Sequence, residues 1–273
     1  MIGPSLLPTP VESTMTSFIH ETALVDPAAT VSDDCFIGPF CTVGPNVVLG
    51  RDVRLESHVV VDGHTTIGDE TRISSFVSIG QPPQDLKYAG QPTRCEIGRK
   101  NLIREFVTIH RGTEQGGGAT IVGEGNLLMA YVHIAHDCRV GSNIIMANGA
   151  TLGGHVHIGD NANIGGLSGI HQFCRVGIEA FIGGSSIATK DVLPYSLVQG
   201  NHTRCFGLNR LGLRRRGYSR ATIDVLNHAF HLLLSSKLNT SQALERIREE
   251  IHDCPEVDLL TEFIETSKRG VVK

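Results

Sequence analysis

From Ile19 onward, every sixth residue of this chain is large and apolar. The series runs Ile19, Val25, Val31, Ile37, Val43, Leu49, Leu55, Val61, Ile67, Ile73 and Ile79 without a miss. It resumes at Ile97, Ile103 and Ile109, and again from Val122 through Leu128, Ile134, Val140, Met146, Leu152, Ile158, Ile164, Ile170 and Val176 to Ile182. Such a period matches neither a helix (about 3.6) nor an ordinary strand (about 2). It predicts a parallel β-helix of hexapeptide repeats, in which each turn buries its apolar face only by stacking on the next. Three hexads make one triangular coil, so residues 18 apart should lie one above another, roughly 4.8 Å apart along the axis.

Two other positions of the repeat have a physical reading. The residue after the aliphatic is often Gly (Gly38, Gly44, Gly50, Gly68, Gly80, Gly98, Gly123). Gly reaches φ > 0 without a Cβ clash, so this position is expected at the corner of the coil. Four places after the aliphatic stands a small or β-branched residue such as Ala29, Cys35, Cys41, Val47, Val53 or Thr65, suited to a narrow core. Cys138 and Cys174 fall at the same position, so Cys35, Cys41, Cys138 and Cys174 read as core thiols in a reducing cytoplasm, and the odd total of seven cysteines does not read as a disulfide framework.

The periodicity divides the chain of 273 residues. Residues 1–16 carry three prolines and no basic start, and read as a disordered extension rather than a signal peptide. Residues 17–196 form the expected β-helix. Two stretches interrupt it: 81–96, where the phase is kept as if one coil were replaced by a loop, and the Gly-rich 111–121, where the phase shifts by one. Loops of that length in a compact domain are often functional. Residues 197–273 read as a small α-helical C-terminal domain. Ser219 N-caps a helix over residues 220–235, Thr240 or Ser241 opens another through Ile251, and Pro255 opens a third to about Ser267. Net charge is −4, which excludes a global nucleic-acid footprint, and no apolar run is long enough to span a membrane. A three-sided prism with bare walls offers one wall to each of two neighbours, so a homotrimer is expected.

Histidines carry the chemistry. Of 13, His133, His136, His155 and His171 fall in the middle coils. Adding 18 to His136 gives Gly154, and adding 18 to Asp137 gives His155. The ladder therefore brings an imidazole, a carboxylate, a glycine N–H and a second imidazole into one patch, on a wall facing out of the prism. Such a patch suits acyl transfer: a neutral imidazole takes the proton of an alcohol, Asp137 orients it, and the Gly154 N–H meets an oxyanion. No serine nucleophile is paired with a histidine, so direct attack by the acceptor is expected. Surface or interface histidines in a non-catalytic β-helix scaffold are the alternative. A zinc site at His133/His136 or His155/His157 lacks a supporting ligand pattern, and no metal is expected.

The stretch NLLMAYVHIAHDC, with IHRGT upstream, IHQFC downstream and QGNHTRCFGLNRLGLRRRG after the coils, resembles the UDP-N-acetylglucosamine O-acyltransferases of lipid A synthesis. The likeness runs from about Phe18 to the C-terminus. It implies a left-handed coil and transfer of a 3-hydroxyacyl group from acyl carrier protein to the 3-hydroxyl of UDP-N-acetylglucosamine. The donor is carried on phosphopantetheine, with no other cofactor. It also implies His136 as general base, Asp137 as its partner and Gly154 as oxyanion donor. His133 and His155 match substrate contacts, and His171 and Gln172 match residues around the nucleotide and pantetheine. Asp85 and Lys87 match contacts to the sugar and phosphate, and Asn209 and Arg215 match nucleotide contacts from a neighbouring subunit. Leu211 stands where many members carry an acidic residue. Gly184 matches the position that ends the acyl groove, and its missing side chain implies room for longer chains. The basic run Arg214–Arg216 suits steering of an acidic carrier protein, Arg216 above all. Relatives that acylate a 3-amino sugar nucleotide share these features.

Overall fold

A computed structural model describes residues 16–273; the extension expected over 1–16 lies, but for Thr16, outside the described residues. The periodic segment winds into a parallel β-helix of three walls, mostly two-residue strands. The first wall begins at Phe18–Ile19 and has eleven strands, the second begins at Leu24–Val25 and has nine, and the third begins at Thr30–Val31 and has eight. Register confirms the ladder: Phe18 pairs with Phe36, and Ile134 with Leu152. The sixth-residue aliphatics from Ile37 to Ile182 and the small residues before them form one continuous buried core, which includes Cys35, Cys41, Cys138 and Cys174. All seven cysteines are free thiols.

The glycines serve a different purpose from the one expected. Of the seven quoted above, Gly80 alone has a positive φ. The left-handed residue of each corner stands three places after the aliphatic, and most are not glycine: Phe40, Asp52, His58, Asp137, His155 and Phe173 all have φ between 49° and 65°. Gly follows the aliphatic because the next coil lies directly against it. A Cβ at Gly38 would sit 2.5 Å from the Glu56 carbonyl oxygen, and one at Gly98 would sit 2.7 Å from that of Gly123. Strain at the left-handed corners is offset by the core each turn buries.

Neither interruption removes a coil. Ile67 pairs with Ile97 and Ile73 with Ile103, so one turn takes 30 residues instead of 18. Ile97 then pairs with Val122, so the next takes 25. Both insertions leave between the second wall and the third, one coil apart. Residues 81–96 are therefore an excursion from a corner, not a replaced coil. Arg111 ties their bases together, donating to the Gly80 carbonyl at 2.9 Å and to the Tyr88 hydroxyl at 2.9 and 3.0 Å.

After the coils, strands Ser196–Gln199 and Arg204–Leu208 form an antiparallel hairpin on the first wall, which the sequence reading had not foreseen. Four helices follow: α1 (Arg210–Arg215), α2 (Arg220–Leu234), α3 (Thr240–Glu250) and α4 (Pro255–Glu265). Ser219 caps α2 as expected. Helix α3 opens at Thr240 as expected, and Asn239 before it is the cap, in a capping box with Gln242. Helix α1 was not expected; its last turn carries Arg214 and Arg215. The helices share a second core with Leu193 and Tyr195. The chain end returns to the prism, where Val272 is buried in the coil core. Among the described residues, no helix is long and apolar enough to cross a membrane.

Candidate active site

The corner that emits both loops continues into the next coils as Ala135–Cys138, Gly153–Val156 and His171–Cys174. His136 and Asp137 therefore stand at an edge of the prism, not on a flat wall as the period alone suggested. The Asp137 backbone is left-handed (φ 60°), a conformation that Asp tolerates better than most residues. Its side chain is directed inward under the Gly-rich loop and is 0% exposed.

Asp137 is the hub of the patch. One oxygen accepts the Thr113 backbone N–H at 2.8 Å. The other accepts the Thr113 hydroxyl at 2.7 Å and lies 2.7 Å from His136 Nδ1. The Asp137 N–H donates to the Thr120 hydroxyl at 2.8 Å. A Cβ at Gly116 would fall 2.0 Å from the Asp137 carboxyl carbon, so only Gly lets the loop close over it. Burial pushes the Asp137 carboxyl up, but the hydrogen bonds from His136 and Thr113 outweigh it and hold it below the usual range. Thr113, Gly116 and Thr120 lie in the Gly-rich stretch where the six-residue phase is lost, so no repeat position points to them; the quoted motif IHRGT contains Thr113 alone.

With Nδ1 given to Asp137, the free nitrogen of His136 is Nε2. The ring lies flat against Gly154, where a Cβ would come within 2.6 Å of Cε1 and 2.8 Å of Nε2. Among the described residues, the Gly154 backbone N–H has no hydrogen-bond partner. His155 Nε2 is 3.8 Å from Asp137, and its ring stands edge-on to His136 at 5.1 Å and stacks on Phe173 at 4.4 Å. Burial holds His155 below the usual imidazole range, with Asp137 and Asp85 pulling it up and His136 pushing it down. His133 takes up Thr108 Oγ1 at 2.7 Å and is likewise lowered by burial and by His136. Behind it lies His110, pushed down to about 4 by burial, His133 and His136. Burial thus holds His110, His133 and His155 below the ordinary imidazole range, and His155 lies beside the Asp137 carboxylate.

Not every expected residue joins this patch. His171 and Gln172 follow on the same edge, exposed, one coil beyond Gly154. Asp85 is near enough to act on His155, and Lys87 is exposed on the loop, its N–H donating to Asp85 at 2.9 Å. Gly184 stands on another edge, between the first and second walls. Asn209, Arg215 and Arg216 line a cleft of about 420 Å³ over the first wall, with Leu211 and Phe181. Asn209 is buried and already occupied: it caps α1 and donates to the Glu179 carbonyl at 2.9 Å. Arg216 is 3.4 Å from the buried Glu179 carboxylate, so it is only partly free to steer a carrier. Donor atoms of His136, Asp137 and His155 lie within 4.8 Å of one another, a different grouping from the histidine pairs weighed for zinc. Two of these three groups are hydrogen-bonded to each other, and Thr113 fills both Asp137 oxygens.

Comparison with known proteins settles the family. Residues 28–63 and 119–154 match the bacterial transferase hexapeptide family (six repeats). Residues 191–272 match the family described as Udp N-acetylglucosamine O-acyltransferase, domain 2. An acyl-[acyl-carrier-protein]--UDP-N-acetylglucosamine O-acyltransferase of Burkholderia orbicola (strain MC0-3) is 50% identical over 93% of this chain and 99% of its own. The chain belongs to the UDP-N-acetylglucosamine O-acyltransferase family. Solved structures of similar proteins superpose on this chain over almost its whole length. LpxA from Acinetobacter baumannii superposes with a TM-score of 0.91 at 48% identity, over 93% of this chain and 99% of that one. The Arabidopsis UDP-N-acetylglucosamine acyltransferase reaches 0.84 at 33%, over 94% of this chain and 100% of that one. The chain is thus an enzyme, an acyltransferase of lipid A synthesis.

Proposed function

We propose that the chain moves a 3-hydroxyacyl group from acyl carrier protein to the 3-hydroxyl of UDP-N-acetylglucosamine, with His136 as general base. The observation that carries this reading is the chain Thr113–Asp137–His136 laid against Gly154. Asp137 fixes the tautomer, so Nε2 takes the proton as the sugar oxygen attacks the thioester carbon. The carbonyl oxygen becomes an oxyanion, which the unpaired Gly154 N–H is free to receive. Collapse expels the carrier's thiolate, and the imidazolium returns the proton to it. No covalent enzyme intermediate is needed.

The reading carries a homotrimer with it. The first wall exposes Phe18, Leu102, Ile145 and Phe181. Its edge with the second wall bears the stacked rings Phe40, His58, Phe76, Phe106 and Tyr131, spaced 4.8–5.1 Å. That apolar edge fits three prisms gathered about one axis. The cleft of Arg215 and the His136 corner lie on different sides of one chain, so a neighbour would complete the site. Seven free thiols suit a reducing cytoplasm.

Two measurements follow. Given UDP-N-acetylglucosamine and a mixed set of acyl carrier thioesters, the enzyme should yield one O-acylated nucleotide by mass spectrometry. A product made only from the 3-amino sugar nucleotide would favour N-acylation instead. Substituting Gly184→Met should shift the product toward shorter acyl chains, since Gly184 is exposed and a Cβ there meets nothing nearer than 3.4 Å. An unchanged chain profile rejects Gly184 as the end of the groove.

A further inference from the structure

We infer that Arg111 and Tyr88 are positioning residues for the nucleotide, their contact holding the 81–96 loop so that Asp85 and Lys87 meet UDP-N-acetylglucosamine. The inference rests on the nucleotide reading above and names what fixes the loop that would bind it. Asp85, Lys87 and Tyr88 form one turn: the Lys87 N–H donates to the Asp85 carboxylate at 2.9 Å, and the Tyr88 N–H donates to the Asp85 carbonyl at 3.0 Å. Whatever holds Tyr88 therefore holds the other two.

Little else anchors this turn. Pro82, Pro83 and Pro92 have no N–H to give, and Leu86 at the tip is fully exposed. Among the described residues, 82–93 make hydrogen bonds to the rest of the chain only through the Tyr88 hydroxyl, which accepts Arg111 Nε at 3.0 Å and Nη2 at 2.9 Å. The hydroxyl's own proton goes to the Gln91 carbonyl at 2.7 Å. Its one donor and two acceptor sites are thus filled, and it joins both limbs of the loop to Arg111.

Arg111 is seated for this role. Its side chain passes Gly63, where a Cβ would fall 2.5 Å from Nη1. Nη1 donates to the Gly80 carbonyl at 2.9 Å, at the bulge where the loop leaves the second wall. The guanidinium carbon also lies 5.4 Å from the centre of the Tyr88 ring. Among the described residues, no carboxylate comes within ion-pair distance of Arg111. Its charge is met by neutral oxygens alone, so the planar fork, not charge pairing, defines the contact. The loop held this way brings Asp85 near enough to act on His155, at the catalytic corner. No repeat position links the pair: Tyr88 lies in one insertion and Arg111 opens the other, 23 residues on.

Titration of the whole protein with UDP-N-acetylglucosamine, together with steady-state kinetics, tests the contact. Tyr88→Phe removes the hydroxyl and leaves the ring, while Arg111→Lys keeps the charge and loses the fork. Each should raise Kd and KM for the nucleotide about tenfold, with kcat and KM for the acyl carrier within about twofold of wild type. The double variant should be no worse than the worse single, because both substitutions break one contact. Unchanged nucleotide affinity in Tyr88→Phe overturns the inference. Additive losses in the double variant overturn it too, as does a fall in kcat and Tm together with no separate rise in the nucleotide KM. A wild type that binds the nucleotide but yields no acylated product has failed the acyl-transfer reading alone, and the titration still decides the role of the contact. One that binds no nucleotide overturns both.

Discussion

His136→Ala lowers kcat by about 10²–10⁴-fold, the ordinary worth of a positioned general base. The loss corresponds to about 3–5 kcal/mol of transition-state stabilisation. It should fall on kcat with little change in KM, because the proton moves only in the transition state. The fold should survive. The His136 side chain is 14% exposed at a corner and contributes nothing to the coil core, so its removal leaves a gap that water fills. Steady-state kinetics with a melting curve on the same sample checks both halves. Turnover within a few-fold of wild type would remove His136 from the chemistry and return the corner to the scaffold reading.

Asp137→Asn produces a loss of similar size by another route. The amide keeps the volume and still accepts the Thr113 N–H, but it turns a donor toward His136 Nδ1. The imidazole then carries its proton on Nε2 and cannot accept one from the sugar. In the aspartate–histidine pair of serine proteases the same exchange costs about 10⁴-fold, and a fall of about 10³–10⁴ is expected here. Asp137→Ala should also destabilise the chain, because it strands the buried Thr113 N–H and hydroxyl. Comparing kcat and Tm for the two variants separates the tautomer from the packing. Equal kcat for Asp137→Asn and wild type would leave Asp137 a purely structural residue.

The coil was legible because one residue type recurs at one spacing, and the core cares only about that inward position. Ile134 over Leu152 follows from counting, and so does Gly154 beside His136. Counting fixed position along the axis but not around it. It placed His136 on a wall, whereas the left-handed residue at Asp137 makes that stretch a corner. The corner glycines were misread for a related reason: close approach between coils and left-handed backbone both favour Gly, and the sequence does not say which applies at Gly38. Where the period breaks, so does the reading. The lid of Thr113 and Gly116, the 30-residue turn through Lys87 and the meeting of Arg111 with Tyr88 depend on how loops return, which no repeat encodes. Helix α2 was readable from Ser219 and its apolar face. Helix α1, six residues long and capped by Asn209, offered too short a pattern.

All of the chemistry depends on one placement: the sugar hydroxyl at the open nitrogen of His136. A crystal structure with UDP-N-acetylglucosamine bound tests it most directly. The glucosamine 3-hydroxyl should lie within about 2.6–3.2 Å of His136 Nε2, with Asp137 still on Nδ1. A nucleotide sugar seated with that hydroxyl on another edge of the prism would contradict the account.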